Sequence, residues 1–455
     1  MTVTSSLNDP YKSIPHPPRI WPGDLATLGL TEVDKNTLEK AFDEALSIAP
    51  DFSEHGLMCR KTKVDGVSRR RLQLFNEEGL VREWNVPITL MVNIQQATLK
   101  SIVLWTKVII GEGGDRRVRK CYDLITGEIN ARKKFCNTVE KLILQHFQSH
   151  PSAGIESITS TIEADDPYLN LHGVSGIKKP HFVEPCFEGD LFQMLDIQVL
   201  DEITKSTLDK ITNPRHVISI MEQLLTGLAT LHEFVLVESI AGMPTQTYPK
   251  TKHWDIKPAN ILLRKIEGNW EAVLMDFGHA ATLAPGNGSD GYLSPEDVCF
   301  RSRVYPDGIR SPRNLDIPYQ EIVETTSSYA QKKDVWQLGL VFVSLLMGRI
   351  VDIELREADE VGTIISTAPL DSLVNAIKID KRYGHHDWRF AKLRQDFIDR
   401  DIVRCKAETL AKCRAETRPA YAYLWDYLIS KMLQVDPAHR ISSKEALSIL
   451  LSHLA

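Results

Sequence analysis

Residues 253–263 read HWDIKPANILL. An acid (Asp255), a lysine two positions on (Lys257) and an asparagine five on (Asn260) stand directly before an apolar run, and Trp254 precedes the acid. Taken singly, each polar residue reads as a turn or cap former. Taken with Asp276 in the MDFG of 275–278, they make a set of two carboxylates, an amide and an ammonium. Hard oxygen donors of this kind suit a magnesium ion that keeps water and binds phosphate. The ammonium suits the neutralisation of a phosphoryl group in transit.

Outward from this stretch the chain is legible in pieces. HVISIMEQLLTGLATLHEF (216–234) predicts a helix with an apolar stripe, and ILLRKIEGNWEAVLMDFG (261–278) a hairpin turning at Gly268-Asn269. VWQLGLVFVSLLMG (335–348) is too short to span a bilayer and reads as a buried helix. Upstream, WTKVIIGEGG (105–114) is a strand entering glycines, CYDLITGEINARKKF (121–135) two strands about a Thr-Gly turn, and 142–147 helical. Earlier still, Thr31 and Asp34 cap a helix carrying Leu38, Phe42 and Leu46, and RRLQLFNEEGLVREW (70–84) is a hairpin turning at Glu77-Glu78-Gly79. A mostly β part followed by a mostly α part predicts two lobes of different character.

HWDIKPANILL resembles the catalytic loop of the eukaryotic-type protein kinases, H-R-D-x-K-x-x-N, and MDFG resembles their D-F-G. The resemblance implies an α+β, bilobal fold with a small, mostly β first lobe and a larger, mostly α second lobe. It implies ATP and magnesium as cofactors and proteins as substrates. Asp255 would orient the substrate hydroxyl and accept its proton, and Lys257 would contact the γ-phosphate. Asn260 would hold one magnesium and Asp276 the magnesium that bridges the phosphates. Three further stretches follow in the family's order: SDGYLSPE (289–296), DVWQLG (334–339) and MLQVDPAHR (432–440). They imply that Asp334 holds the backbone amides of the catalytic loop and that Arg440 and Glu296 form a buried ion pair. Small-molecule phosphotransferases usually lack these three.

In GEGGDRRV (111–118) two glycines of the family's phosphate loop stand at Gly111 and Gly113, but the third position is Arg116. From Val118 to Lys133 the run VRKCYDLITGEINARK aligns without a gap to the strand pair ending in V-A-I-K. This implies Val118 and Ala131 beside the nucleotide and Lys133 on its α- and β-phosphates. Glu140, seven positions on, reads either as the partner of Lys133 or as the last member of a capping box, Asn137-Thr-Val-Glu140. KPHFVEPCFEGDLFQML (179–195) resembles the fifth strand and hinge. There Val183 would sit behind the adenine, the backbone of Glu184 and Cys186 would bond its edge, and Asp190 would reach the ribose. Val183 reads equally as core.

Many family members carry an arginine before the catalytic aspartate, where it binds a phosphate on the activation segment. Trp254 offers one neutral donor there instead of a charged fork. The expectation is a site assembled without phosphorylation of Thr282 or Ser289; Trp254 also reads as core beneath the loop, or as a sign of lost activity. Lys257 and Ser289 fit Ser/Thr-directed members.

The bulk numbers agree with a globular intracellular protein. The chain has 455 residues, 43% of them hydrophobic, and 54 lysines and arginines against 60 acids for a net charge of −6. That balance argues against a protein that coats nucleic acid. The seven cysteines (Cys59, Cys121, Cys136, Cys186, Cys299, Cys405 and Cys413) are scattered and odd in number, as in a reducing compartment. The N-terminus lacks a basic stretch followed by an apolar core, so neither a secretory signal nor a membrane span is expected. The expected domains are an extension of unassigned role over 1–100 and a kinase domain over 101–455, its lobes at about 101–185 and 186–455. Insertions at 151–175, 237–251, 297–330 and 350–420 read as recognition surfaces or as neutral decoration. Three functions remain in view: an active Ser/Thr protein kinase, a catalytically impaired kinase-like scaffold, and a small-molecule phosphotransferase.

Overall fold

A computed structural model describes residues 18–454 apart from 51–54, 163–180, 196–210, 239–245, 281–288, 295–318, 352–410 and gaps of one or two residues. The chain divides into two compact units, Met1–Phe135 with Ile158–Cys186, and Cys136–Ser157 with Phe187–Ala455.

The first unit is rich in strands. Helix α1 (Glu32–Ile48) starts on the expected capping box: the Thr31 Oγ1 accepts from the Asp34 amide at 3.2 Å, and the Asp34 carboxylate accepts from the Thr31 amide at 2.9 Å. Strands β1 (Gly56–Val64), β2 (Val67–Asn76) and β3 (Gly79–Val86) form one antiparallel sheet. The β2–β3 turn lies at Glu77-Glu78, where the Asn76 side chain accepts from the Glu78 and Gly79 amides. Strands β4 (Thr89–Gln95), β5 (Thr98–Gly113), β6 (Arg116–Asp123), β7 (Ile129–Lys134), β8 (Ser160–Ile162) and β9 (His181–Pro185) form a six-stranded sheet in the order β4-β5-β6-β7-β9-β8. One apolar core joins Leu38 and Phe42 of α1 to Leu57, Leu72, Leu74 and Leu90, and onward to Ile102, Leu104, Tyr122 and Leu124. Position 100, the expected domain boundary, lies inside β5.

The second unit is rich in helices. Helix α2 (Thr138–Ser149) begins at Asn137, whose side chain accepts from the Glu140 amide at 2.9 Å. Strand β10 (Gly189–Asp190) pairs with β13 (Ile261–Ile266), which pairs with β14 (Asn269–Leu274). The β13–β14 turn falls on Glu267-Gly268, one residue earlier than expected, because those two residues take the positive φ (50° and 90°) that suits the twist of a two-residue hairpin. Strands β11 (Leu236–Glu238) and β12 (Gln246–Tyr248) pair antiparallel, starting one residue ahead of the expected insertion at 237–251. Helix α3 (Pro214–Glu233) has Asn213 as cap, proline at its start and a buried stripe from Val217 to Leu231. It is bolted to β14 by Gln223, which donates to the Trp270 carbonyl and accepts from the Ala272 amide. Helix α4 (Tyr319–Met347) is buried from Lys333 to Leu346 as expected, and α5 (Ser443–Leu454) closes the chain. The expected insertions at 297–330 and 350–420 fall largely outside the described residues, as do Thr282 and Glu296.

Candidate active site

The catalytic-loop residues owe their positions to two hydrogen-bonding side chains of α4. Asp334, fully buried, accepts from the His253 amide at 2.8 Å and the Trp254 amide at 2.7 Å, and contacts His232 Nε2 at 3.0 Å. Burial pushes this carboxyl upward, but the hydrogen bonds from the His232 ring and the His253 amide help to hold it below the ordinary carboxylate range. Gln337 accepts from the Ile256 amide at 3.1 Å. In the sequence, the signal for Gln337 is a lone glutamine within an apolar helix. His253 is buried with Nε2 2.8 Å from the Met275 carbonyl; its Nδ1 accepts from the Asp255 amide at 3.4 Å. Burial lowers its pKa, so the ring is neutral with the proton on Nε2.

Asp255 is the centre of the cluster. Its Oδ2 accepts from Lys257 Nζ at 2.9 Å and from Asn260 Nδ2 at 3.0 Å. Its Oδ1 accepts from the Ser289 amide at 2.8 Å and the Ser289 hydroxyl at 3.0 Å, while Lys257 Nζ also donates to that hydroxyl at 2.5 Å. Burial favours the neutral acid, but the Lys257 charge and hydrogen bond, His279 and the Ser289 bond together hold the carboxyl below its usual range. Asp255 is therefore a buried, ionised carboxylate with a hydroxyl and an ammonium hydrogen-bonded to it.

Asn260 and Asp276 meet through the backbone. The Asn260 carbonyl accepts from the Met275 amide at 3.0 Å, beside Asp276, and Ile261 faces Leu274 across the β13–β14 ladder. Among the described residues, the side-chain hydrogen bonds of Asn260 use its nitrogen, to the Asp255 carbonyl at 2.7 Å and to its carboxylate at 3.0 Å. Asp276 is half-buried in the left-handed region at φ 64°, with Oδ1 accepting from the Gly278 amide. An amide oxygen and a carboxylate are hard donors of the kind that suit magnesium, which takes few protein ligands. The Gly278 carbonyl accepts from Asn137 Nδ2 at 2.7 Å, so the cap of α2 also fixes the D-F-G turn, a second task not evident from sequence.

The remaining expected site residues fall in both units. Asp190 caps the short helix Leu191–Leu195 by accepting from the Gln193 amide at 2.8 Å, and burial raises its pKa. Glu140 is fully buried on α2 in the second unit, and Lys133 is 4% exposed on β7 in the first. In that first unit Gly111 pairs with Val118 and Gly113 with Arg116, Ala131 pairs with Glu184, and Lys133 pairs with Phe182, its ammonium 5.5 Å from that ring. Val183 is core, packed with Val103 and Cys121; burial raises the thiol of Cys186 just after β9. Arg440 is buried, donating to the Lys332 and Gln434 carbonyls.

Trp254 is 1% exposed and lies beneath the loop as core, one of the roles its sequence position allowed. Two buried lysines flank its ring, Lys252 with Nζ 3.3 Å from the centroid and Lys333 at 4.9 Å. Neither lysine stood out in the sequence.

A strand-rich unit, a helix-rich unit and this loop together define the α+β protein kinase fold. The sequence model of the protein kinase domain matches residues 105–450, about three-quarters of the chain, and the chain belongs to that family. It is 26% identical over 254 residues to the liver/testis phosphorylase b kinase gamma catalytic chain of Bos taurus, covering 53% of this chain and 50% of the relative. It is 25% identical over 282 residues to mitogen-activated protein kinase mpk-1 of Caenorhabditis elegans (58% and 51%). With cyclin-dependent kinase-like 4 of Mus musculus the figures are 26% over 265 residues (57% and 60%). The chain thus spans about half the length of the curated relatives it matches. A crystal structure of the yeast RNA Pol II CTD kinase CTDK-1 complex is similar at a TM-score of 0.43 and 15% identity, over 75% of this chain and 90% of that one. Among the described residues no helix is long and apolar enough to cross a membrane.

Proposed function

We propose that the protein is an active, intracellular kinase that transfers the terminal phosphoryl group of ATP to serine and threonine hydroxyls of protein substrates. The observation that carries this reading is the Asp255 cluster, an ionised buried carboxylate with Lys257, Asn260 and a serine hydroxyl bonded to it. A scaffold that had lost its chemistry would have no use for a desolvated carboxylate held in its charged form. Magnesium, when bound through Asn260 and Asp276, would supply positive charge to the phosphate oxygens. Asp255 would orient the acceptor hydroxyl and take its proton. Lys257 would face the charge that develops on the transferred group. Lys133 would hold the inner phosphates, with Gly111, Gly113, Val118 and Ala131 around the nucleotide and Val183, Glu184, Cys186 and Asp190 at its base and sugar. Glu140 would support Lys133. Ser289, bonded to both Asp255 and Lys257, supports a serine or threonine acceptor, because a short hydroxyl already fits that gap.

The test is transfer of label from ATP to Ser/Thr peptides in the presence of magnesium. Asp255→Asn should lower kcat by about 100-fold or more with the fold intact; unchanged turnover would reject the assignment. Turnover should persist after phosphatase treatment and in Thr282→Ala, since Trp254 provides no charged fork for a phosphate.

A further inference from the structure

Helix α1 carries a second stripe besides the one it buries. Val33, Thr37, Lys40 and Ala41 follow one another at helical spacing, and with Trp84 and Asn85 of β3 they line a groove of about 480 Å³. The groove opens at the edge of a sheet, because β1, β2 and β3 lie in that order and β3 pairs with β2 alone. Trp84 and Asn85 are consecutive and so point to opposite faces. Both line the groove, which therefore reaches past the edge of the strand.

That edge is unguarded. Along Gly79–Val86 alternate residues turn their N–H and C=O away from β2. Among the described residues no backbone group pairs with this outer row. The strand, GLVREWNV, has neither proline nor lysine to blunt its edge, and Leu80 and Val81 are half-exposed.

Charge beside the groove is one-sided. The acids of α1 are engaged within the protein: Glu39 and Asp43 with Arg19, Glu32 with Lys35, and Asp34 with its cap. Glu44 accepts from Trp84 Nε1 at 2.6 Å, and Glu83 of β3 is held by Arg71 and Gln73. Lys40 is exposed, with the Glu44 carboxylate 4.0 Å away. Arg82 shares a face of β3 with Trp84, is exposed, and makes no ion pair among the described residues. What is left to a ligand is positive charge.

We propose that an extended, acidic segment of a partner protein docks here, joining β3 as a fourth strand with one row of its side chains in the groove beside α1. A row of unpaired donors and acceptors at strand spacing is matched by another extended backbone, and the groove sorts its side chains. A second copy of β3 laid antiparallel along the whole strand would bring Arg82 opposite or diagonal to Arg82, and Glu83 likewise to Glu83, which disfavours that occupant. Both walls of the groove precede residue 105, where the match to the protein kinase domain begins, so the inference is independent of the catalytic reading.

The experiment uses the full chain and the fluorescent octapeptide ETVTETVT, whose strand form sets glutamate and valine on one face and threonine on the other. Anisotropy should show saturable binding below millimolar concentration, and KTVTKTVT should bind roughly tenfold more weakly or worse. Thr37→Trp, which fills the groove, and Lys40→Glu/Arg82→Glu, which reverses its charge, should each weaken binding of the acidic peptide roughly tenfold. Two methylated peptides need no variant of the protein. N-methylation of the threonines and N-methylation of the glutamates and valines should differ, one abolishing binding and the other leaving it within about twofold. Amide exchange over Gly79–Val86 should slow when the acidic peptide is bound. Overturning results are no binding of ETVTETVT up to millimolar concentration, equal binding of its lysine counterpart, or equal effects of the two methylations. A dimer in sedimentation that Thr37→Trp dissolves would also overturn the proposal, by placing a second copy at the edge.

Discussion

Lys252 and Trp254 stand one residue apart, and each constrains the other. The lysine is 6% exposed, and burial pushes its ammonium down to about 7, against the pull of Asp334. The indole face 3.3 Å away favours the charged form, worth about 2 kcal/mol when desolvated. Burial should win. An unfolded lysine titrates near 10.4, so between pH 7 and 10 the unfolded chain binds more protons and stability rises with pH. Below pH 7 the full cost of the buried charge is present. Lys252→Met is therefore expected to stabilise the protein by roughly 2 kcal/mol at pH 6.5, with a smaller gain at pH 9.5. Thermal unfolding at the two pH values measures this, and a larger gain at the higher pH would contradict it. That Asp255, Lys257 and Asn260 cluster was legible because their type and spacing make up the motif. Lys252 and Lys333 were not, since a lysine beside a motif looks the same in sequence whether it is solvated or pressed on a ring.

Among the elements, α3 and the segment that leads out of α2 show how closely packing is tuned. A Cβ on Gly227, in the middle of α3, would lie 2.4 Å from the Gly154 carbonyl oxygen, and Gly154 has φ 76°. Helix propensity alone would make Gly227→Ala a gain of about 1 kcal/mol. The clash with backbone outweighs it, and the variant should lose about 3 kcal/mol in a denaturant titration. Helix starts were readable at Thr31 and Asn137 because caps declare themselves locally. Strands β1 and β4 were not, because basic residues break the alternation of β1 and a turn signal between β4 and β5 is lacking. Close contacts such as Gly154 with Gly227 join residues far apart in sequence and leave no local trace.

At the scale of the molecule, the apolar core of the first unit runs through the expected boundary at residue 100. Leu38, Phe42 and Leu72 pack in the same cluster as Ile102, Leu104 and Tyr122. A fragment comprising 101–455 would uncover those last three side chains and lose β4 from the edge of its sheet. We expect it to be insoluble or to melt far below the full chain, as sedimentation and calorimetry would reveal; a fragment of equal stability would make the first hundred residues dispensable to the core. Composition located two units of different character but could not place their border, because a shared core is a long-range property. The order of strands carries a consequence for biosynthesis. Strand β9 lies between β7 and β8, so the sheet stays unfinished until Pro185 has left the ribosome. At ordinary elongation speeds roughly 3 to 10 seconds separate its emergence from that of Lys134, the end of β7. During that interval the nascent chain carries an open β7 edge, and chaperones have their opportunity.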